Sequence, residues 1–148
     1  MIFLDIVTTV CIGLLIGTEF AVAVFINPVL KRLDTGTRMK TISFFAKRLG
    51  TGMPFWYALS FLLLIAEAAL RRHGGSEALL ITAGAFWLAV IVLTLIFLVP
   101  INNRMMRLDA NSGADSSLRE HRKWDLLHRG RVAVLAMSMV CFLLAVLR

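Results

Sequence analysis

One carboxylate stands out in the first long apolar stretch of this sequence. Glu19 is the only charged residue between Ile6 and Ile26, and it lies eight positions before Asn27. A charged group at the centre of a bilayer costs on the order of 3 kcal/mol or more, so it normally faces a protein interior and a partner. We expect Glu19 to act there as a general base or to accept a substrate hydroxyl. The alternative is a structural role, in which Glu19 pairs with Arg131 or an Asn and holds helices together.

A second group of reactive side chains precedes the last apolar stretch. Trp124, His128 and Arg131 follow one another at helical spacing and therefore share one face of a helix. His128 could donate, accept or relay protons near neutral pH. It could equally be an interfacial residue bonded to a carbonyl group. Asp125 can pair with Arg129 on the neighbouring face.

Two further groups flank the other apolar stretches. Asn102, Asn103 and Arg104 follow the third, where they could cap a helix end or stabilise an oxyanion. Met53 and Phe55 open the second stretch and are residues that a plain lipid-facing helix would not require.

The composition identifies the kind of chain that must position these residues. Of 148 residues, 59% are hydrophobic and 17% are charged, which argues against both an ordinary soluble enzyme and a disordered segment. Cys11 and Cys141 lie inside apolar runs, so they are not a disulfide framework or a zinc module. The apolar stretches have the length of membrane spans, and we place these spans at about 6–28, 53–71, 78–100 and 126–147.

These spans predict an all-α fold, an integral membrane four-helix bundle forming one domain over residues 1–148. Residues 37–49 read as a short amphipathic interfacial helix between the first two spans. A capping box at Ser117 and Glu120 predicts a long fourth helix that extends beyond the membrane into the cytoplasm.

The Lys and Arg residues set the expected orientation. The first connection carries six of them and the third carries seven, against three at the other end of the bundle. The positive-inside rule then places loops 1 and 3 in the cytoplasm and both termini outside, in what we expect to be a bacterial inner membrane. The net charge of +7 thus reflects mainly the orientation of the spans in the membrane. It favours anionic lipid headgroups as partners and argues against a nucleic-acid partner.

This topology brings the unusual residues of all four spans to the cytoplasmic end, where a ligand site is expected. Glu67 lies at the outer end, and we expect a structural role for it.

One histidine and one glutamate near the spans make a poor set of ligands for iron or copper, and the sequence has no haem motif. No metal or other cofactor is therefore predicted. The Gly13-x-x-x-Gly17 stripe indicates close packing within the bundle or in a homodimer.

The motifs taken together resemble a known family. The chain is similar to the anthrone oxygenase-like family of small four-span membrane proteins, whose named activity oxidises an anthrone to an anthraquinone with dioxygen. The residues that carry this resemblance are Gly17-Thr18-Glu19-Phe20, Asn27-Pro28, Met53-Pro54, Pro100-Ile101-Asn102-Asn103-Arg104 and Trp124-Asp125-x-x-His128-x-x-Arg131.

The resemblance implies a membrane-embedded oxidoreductase that acts on a small lipophilic aromatic or phenolic substrate through a base-assisted carbanion. Glu19 would be the base and His128 a second base or proton relay. The substrate-binding residues would be Asn27, Met53, Phe55, Asn102, Asn103, Arg104, Trp124 and Arg131. The alternative is a non-catalytic membrane protein that binds a lipid, a quinone or another small molecule, or a subunit of a transport complex.

Overall fold

The computed structural model describes residues 1–72, 75–107 and 114–148, with side chains except at 105–107 and 114–118. Every regular element within these residues is helical: α1 (Ile2–Ala21), a π-helical turn (Val22–Ile26), α2 (Asn27–Leu30), α3 (Thr35–Leu70), α4 (Glu77–Leu93), a second π-helical turn (Thr94–Leu98), α5 (Val99–Arg107) and α6 (Ala114–Val146). The all-α fold is thereby confirmed.

Four continuous helical stretches have the length and apolar character needed to cross a membrane. They are Ile2–Leu30, Thr35–Leu70, Glu77–Arg104 and Arg119–Val146. These stretches make the chain compatible with an integral membrane protein, and they match the four spans that the sequence predicts.

The region between the first two spans differs from the prediction. The sequence predicts a separate interfacial helix at 37–49, whereas α3 runs without a break from Thr35 to Leu70. Asp34 caps its start by accepting a 3.0 Å hydrogen bond from the Thr37 amide, and hydrogen bonds from Thr37 lower the pKa of the Asp34 carboxyl. Gly50 weakens the helix only slightly, and Pro54 removes a single backbone donor. Neither residue ends the helix, so residues 37–49 extend the second span.

The start of α6 also lies elsewhere than expected. The helix begins at Ala114, three residues before Ser117, and then continues through the fourth span as one element. Ser117 therefore lies inside the helix rather than at its cap, and its side chain falls outside the described residues.

Two π-helical turns interrupt the first and third spans at matching places. The turn at Val22–Ile26 ends two residues before Pro28, and the turn at Thr94–Leu98 ends two residues before Pro100. Proline has no N–H to give to the carbonyl four residues earlier, and a widened turn is one way to accommodate that loss. Because α1 and α4 run in the same direction, both widened turns lie toward the same end of the bundle.

The core is built from large side chains on all four long helices. Trp87, Phe142, Leu135 and Leu15 are fully buried, and α4 packs mainly on α6. Two polar contacts link helices inside this core: the Trp87 indole donates to the Tyr57 carbonyl at 3.1 Å, and Ser138 Oγ donates to the Ala83 carbonyl at 2.8 Å.

A closed polar cluster occupies the end of the bundle that holds both chain termini. Glu67 is 1% exposed, accepts a 3.2 Å hydrogen bond from Thr8 and pairs with Arg71, which also pairs with Asp5. Glu67 is therefore buried and partnered, and Glu19 is not the lone buried carboxylate of the chain. This arrangement agrees with a structural role for Glu67.

The glycine stripe on α1 is not a point of close contact between the described helices. Among the described residues, a Cβ atom at Gly13 or Gly17 would meet nothing within 4 Å. Cys11 and Cys141 are both free thiols.

We predict that two alanine substitutions on α6 will differ sharply. Leu135→Ala removes a fully buried side chain and should lower the free energy of unfolding by about 2 kcal/mol, because the core cannot refill the space. Met137→Ala alters a side chain that is 53% exposed on the same helix and should leave stability almost unchanged. Unfolding in mixed detergent micelles measures both. Equal losses for the two variants would contradict the assignment of the core face.

Candidate functional site

A cavity of about 350 Å³ lies between the four spans, on the side of the core where both π-helical turns are found. Its volume falls within the range of about 300–1,000 Å³ that is typical of small-molecule sites. Val22 and Ile26 from the first π-turn and Thr94 and Leu98 from the second form part of its wall. Such turns are frequent at functional sites, because they change the direction in which side chains project.

Most of the wall is aliphatic or aromatic, and its charged residues are few. The polar or titratable side chains that line the cavity are Thr18, Glu19, Asn27, Tyr57, Thr94, Asn102, His121, Trp124, His128 and Arg131. An apolar chamber with a small set of polar groups is the usual form of a site for a lipophilic ligand.

Glu19 and Arg131 form a direct ion pair at this wall. Arg131 Nη2 donates to Glu19 Oε2, and the Glu19 residue is only 3% exposed. Arg131 Nη1 lies 3.3 Å from the Thr94 hydroxyl in the second π-turn, which gives the guanidinium a second anchor. Opposite charges that face each other inside an apolar bundle offset each other's desolvation. The partner that the sequence proposed for Glu19 is thus the one that the structure provides.

The ring of His128 is fixed by hydrogen bonds to the same two residues. Nε2 lies 3.1 Å from the Glu19 carbonyl oxygen, which can only accept, so this nitrogen carries a proton. Nδ1 lies 2.9 Å from Arg131 Nη2, which can only donate, and 3.2 Å from Glu19 Oε2, which can only accept, so the ring contacts both members of the ion pair.

Tyr57 completes the cluster from α3. Its hydroxyl donates to Glu19 Oε1 at 2.9 Å, and its ring centroid lies 5.6 Å from Arg131 Cζ, in the range of a cation–π contact. The carboxylate thus accepts from a phenol on one oxygen and from a guanidinium on the other. We refer to Glu19, Tyr57, His128 and Arg131 as the acid–base cluster.

A second ion pair lies one helical turn before His128. Asp125 accepts from Asn27 Nδ2 at 2.8 Å and from Lys31 Nζ at 2.8 Å, and Arg129 Nε is 3.5 Å away. Asn27, which lines the cavity, is 2% exposed and is held by this contact. The predicted Asp125–Arg129 pair is present, but the shorter contacts join α6 to the end of the first span.

Three aromatic rings follow one another along the cavity side of α6. Trp124 stacks on His128 with ring centroids 4.6 Å apart and an angle of 11° between the planes. His121 stacks against Trp124 at 6.3 Å and 9°. The three rings are stacked nearly parallel, with their faces toward one another, and we refer to them as the α6 aromatic stack.

The structure brings together most of the residues that the sequence selected. Those that line the cavity are Glu19, Asn27, Met53, Asn102, Trp124, His128 and Arg131. Three others do not line it: Phe55 is 76% exposed, Asn103 is exposed, and Arg104 is exposed and pairs with Glu120 at 3.1 Å. Each helical step rotates the side chain by about 100°, so neighbours in a motif can face opposite directions.

Four of the polar lining side chains were not selected from the sequence as site residues: Thr18, Tyr57, Thr94 and His121. Tyr57 lies four positions after Met53 and His121 lies three before Trp124, so helical spacing places both on faces already selected. Helical spacing did not point to Thr94, because the direction of its side chain depends on the π-helical turn. Within the described residues no group of three or more His, Cys, Asp or Glu side chains is placed to hold a metal ion.

Comparison with protein families supplies an independent assignment. The family model described as anthrone oxygenase matches residues 39–141, which include Tyr57, His121, His128 and Arg131. The match covers more than half of the chain, so the protein belongs to the anthrone oxygenase family, as its motifs predict. No curated protein and no solved structure matched the chain. Glu19 lies outside the matched residues, and its place in the cluster rests on the structure.

We predict that removing one charge of the Glu19–Arg131 pair will cost more stability than removing both. Arg131→Met leaves a buried carboxylate without its cation and should lower the free energy of unfolding by about 3 kcal/mol. The double variant Glu19→Gln with Arg131→Met should recover part of that loss, because no charge is left unpaired. A double-mutant cycle in detergent measures the coupling. Additive losses would show that the two side chains do not interact.

Proposed function

We propose that this protein is a membrane-embedded oxygenase that oxidises a flat, lipophilic phenolic or anthrone-like substrate with dioxygen. The observation that carries the proposal is the position of the acid–base cluster on one wall of an otherwise mainly apolar cavity. Such a cavity can extract a hydrophobic aromatic molecule from lipid and hold an acidic C–H bond next to a carboxylate. Membership of the anthrone oxygenase family supports the same class of reaction.

The proposed reaction balances without any further reactant. A base removes a proton from the methylene carbon of the anthrone, and the resulting carbanion passes one electron to dioxygen. The carbon radical and superoxide combine, and protonation of the new C–O–O group gives a hydroperoxide. Loss of the second proton from the same carbon, with cleavage of the O–O bond, yields the ketone and water. One anthrone and one dioxygen thus give one anthraquinone and one water.

Glu19 is the proposed base, and Arg131 is the group that makes its action favourable. When Glu19 takes the proton, the negative charge moves to the substrate oxygen while the guanidinium remains alongside. The net charge of the cluster with its substrate therefore does not change, and little reorganisation is needed. His128 and Tyr57, which both contact Glu19, are the proposed groups that return the proton to the peroxy group.

Other lining residues would position the substrate. The α6 aromatic stack, with Trp124 at its centre, offers ring edges for edge-to-face contacts with the rings of the substrate. Met53 contributes an adaptable apolar side chain to the lining. The amides of Asn27 and Asn102 are the proposed hydrogen-bonding groups for substrate oxygens.

We further propose that the end of the bundle with the cavity faces the cytoplasm of a bacterial inner membrane. This orientation rests on the excess of Lys and Arg in the first and third connections. Both termini, with the Glu67 cluster, would then lie on the outer side. Membrane lipids and a hydrophobic small molecule are the partners that this placement implies.

The proposal predicts that Glu19→Gln will lower anthrone-dependent oxygen uptake by about 10²-fold, the typical contribution of a general base. The amide oxygen can still accept from Arg131 and the amide nitrogen can donate to the Tyr57 hydroxyl. The fold should therefore be retained at reduced stability, and rates are compared per folded molecule. Reconstituted vesicles supplied with anthrone, with an oxygen electrode and the spectrum of the product, provide the measurement. Empty vesicles give the rate of spontaneous oxidation, which is subtracted.

Glu67→Gln is the matched control, because it makes the same change in a buried carboxylate at the other end of the bundle. This variant should retain the wild-type rate per folded molecule. If Glu19→Gln and the wild type consume oxygen equally, Glu19 is not the base. If the wild type does not exceed empty vesicles but binds anthraquinone, the protein is a binding protein rather than an oxygenase.

A further inference from the structure

In the described part of the chain, the exposed portion of the cavity wall is confined to two helical stretches. The lining residues that are exposed all lie on α3 or on the third span, and they are Phe45, Gly50, Pro54, Ala58, Leu95 and Val99. Among the described residues that line the cavity from the first span or from α6, none is exposed. The cavity therefore opens to the surface between α3 and the third span, and we refer to this gap as the lateral opening.

Small residues on α3 and the second π-helical turn together leave this gap. Gly50, Pro54 and Ala58 follow one another at intervals of four residues, so they lie on one face of α3 and give it no bulky side chain. Leu95, on the other side of the gap, belongs to the π-helical turn. α3 packs on α4 before this turn and on α5 after it. The two sides come close at Gly50, where an added Cβ would lie 3.8 Å from Asn102 Nδ2.

The position of the lateral opening along the helices places it within one leaflet. Arg48 on α3 and Arg104 on the third span are exposed cations at the cavity end of these helices, and such side chains reach the level of the lipid headgroups. Ala58 lies ten residues after Arg48, and Leu95 lies nine before Arg104. Both are thus roughly 13–15 Å deeper along a helix, close to half of a hydrocarbon core of about 30 Å. The opening extends from the headgroups towards the middle of the bilayer.

The edges of the lateral opening suit a molecule that is dissolved in lipid. Its exposed lining residues are all apolar or glycine, so they offer no side-chain partner to a charged or strongly hydrated solute. Such a solute would also lose its hydration in the surrounding hydrocarbon, which is costly for polar groups. An apolar molecule meets neither obstacle.

We infer that small lipophilic molecules enter the cavity sideways from one leaflet of the bilayer, through the lateral opening. The side chains at Ala58 and Leu95, which lie at its deeper end, set the width of this entrance. The inference goes beyond the proposed reaction, since it applies to any lipophilic molecule that the cavity holds. It rests on the four spans lying in a bilayer.

A thiol inside the cavity tests this entrance without knowledge of the natural ligand. Val22→Cys introduces the thiol on the first span, at a lining residue that is 7% exposed, after Cys11 and Cys141 have been replaced by alanine. The protein is placed in nanodiscs, which leave both membrane faces open to water. N-(1-pyrenyl)maleimide dissolves in the lipid and fluoresces once it has added to a thiol. A charged sulfonatoethyl methanethiosulfonate stays in the water, and we expect the maleimide to modify the introduced thiol much faster.

Two substitutions at the lateral opening should change this rate in opposite directions. Ala58→Phe narrows the entrance and should slow labelling by the maleimide about tenfold, because a displaced ring raises the barrier by about 1.4 kcal/mol. Leu95→Ala widens the entrance and should raise the rate. The matched controls are Leu59→Phe and Ile96→Ala, which change exposed neighbours that are not among the lining residues, and both should label like the parent. Either pair suffices if one variant fails to fold.

Each outcome of this experiment decides the inference. If the charged reagent modifies the thiol faster than the maleimide does, the entrance lies on the water side. If Leu59→Phe slows labelling as much as Ala58→Phe, the entrance lies elsewhere. If neither reagent modifies the thiol until the protein is unfolded in sodium dodecyl sulfate, the cavity is closed. All three results overturn the inference and leave Glu19 as the proposed base. A protein that labels as expected and consumes no oxygen retains the lateral opening and loses the proposed function.

Discussion

The ion pair between Glu19 and Arg131 is the interaction on which the rest of this structure depends. It joins the first and fourth spans through an apolar interior, where either charge alone would be strongly unfavourable. A buried ion pair is a poor device for stability, because well-packed apolar side chains of similar volume often stabilise a protein as much or more. The pair lies at a cavity wall, and His128 and Tyr57 contact the same carboxylate, which is the arrangement that the proposed proton transfer requires.

The backbone is shaped to leave room beside this pair. Pro28 and Pro100 each follow a π-helical turn in spans that run in the same direction, and residues of both turns line the cavity. The second turn also supplies Thr94, which anchors Arg131. The same irregularity therefore opens the chamber and orients the cation that balances Glu19. Neither effect requires a long loop, so the site remains on rigid helices.

The four spans and the inward direction of Glu19 could be predicted from sequence, because hydropathy and the cost of a buried charge are strong local signals. The separation of residues 37–49 from the second span could not, since Gly50 and Pro54 weaken a helix without necessarily ending it. Closeness in sequence to the Met53-Pro54 motif was a poor guide to the direction of Phe55, which lies two positions after a lining residue and is exposed. The two ring nitrogens of His121 lack a hydrogen-bond partner among the described residues. That depends on what surrounds the ring in three dimensions, and the spacing of residues in the sequence does not reveal it.

The central claim is that a flat aromatic ligand binds in the cavity beside the Glu19–Arg131 pair, and photoaffinity labelling tests it most directly. The probe is 2-azidoanthraquinone in reconstituted vesicles, with cross-linked positions read by peptide mass spectrometry and with unlabelled anthraquinone as competitor. The account predicts competed cross-links on the cavity face of α6, between His121 and Arg131, and on α3 around Met53 and Tyr57. Labelling confined to outward-facing residues such as Phe55 and Met137, with no effect of competitor, would contradict it.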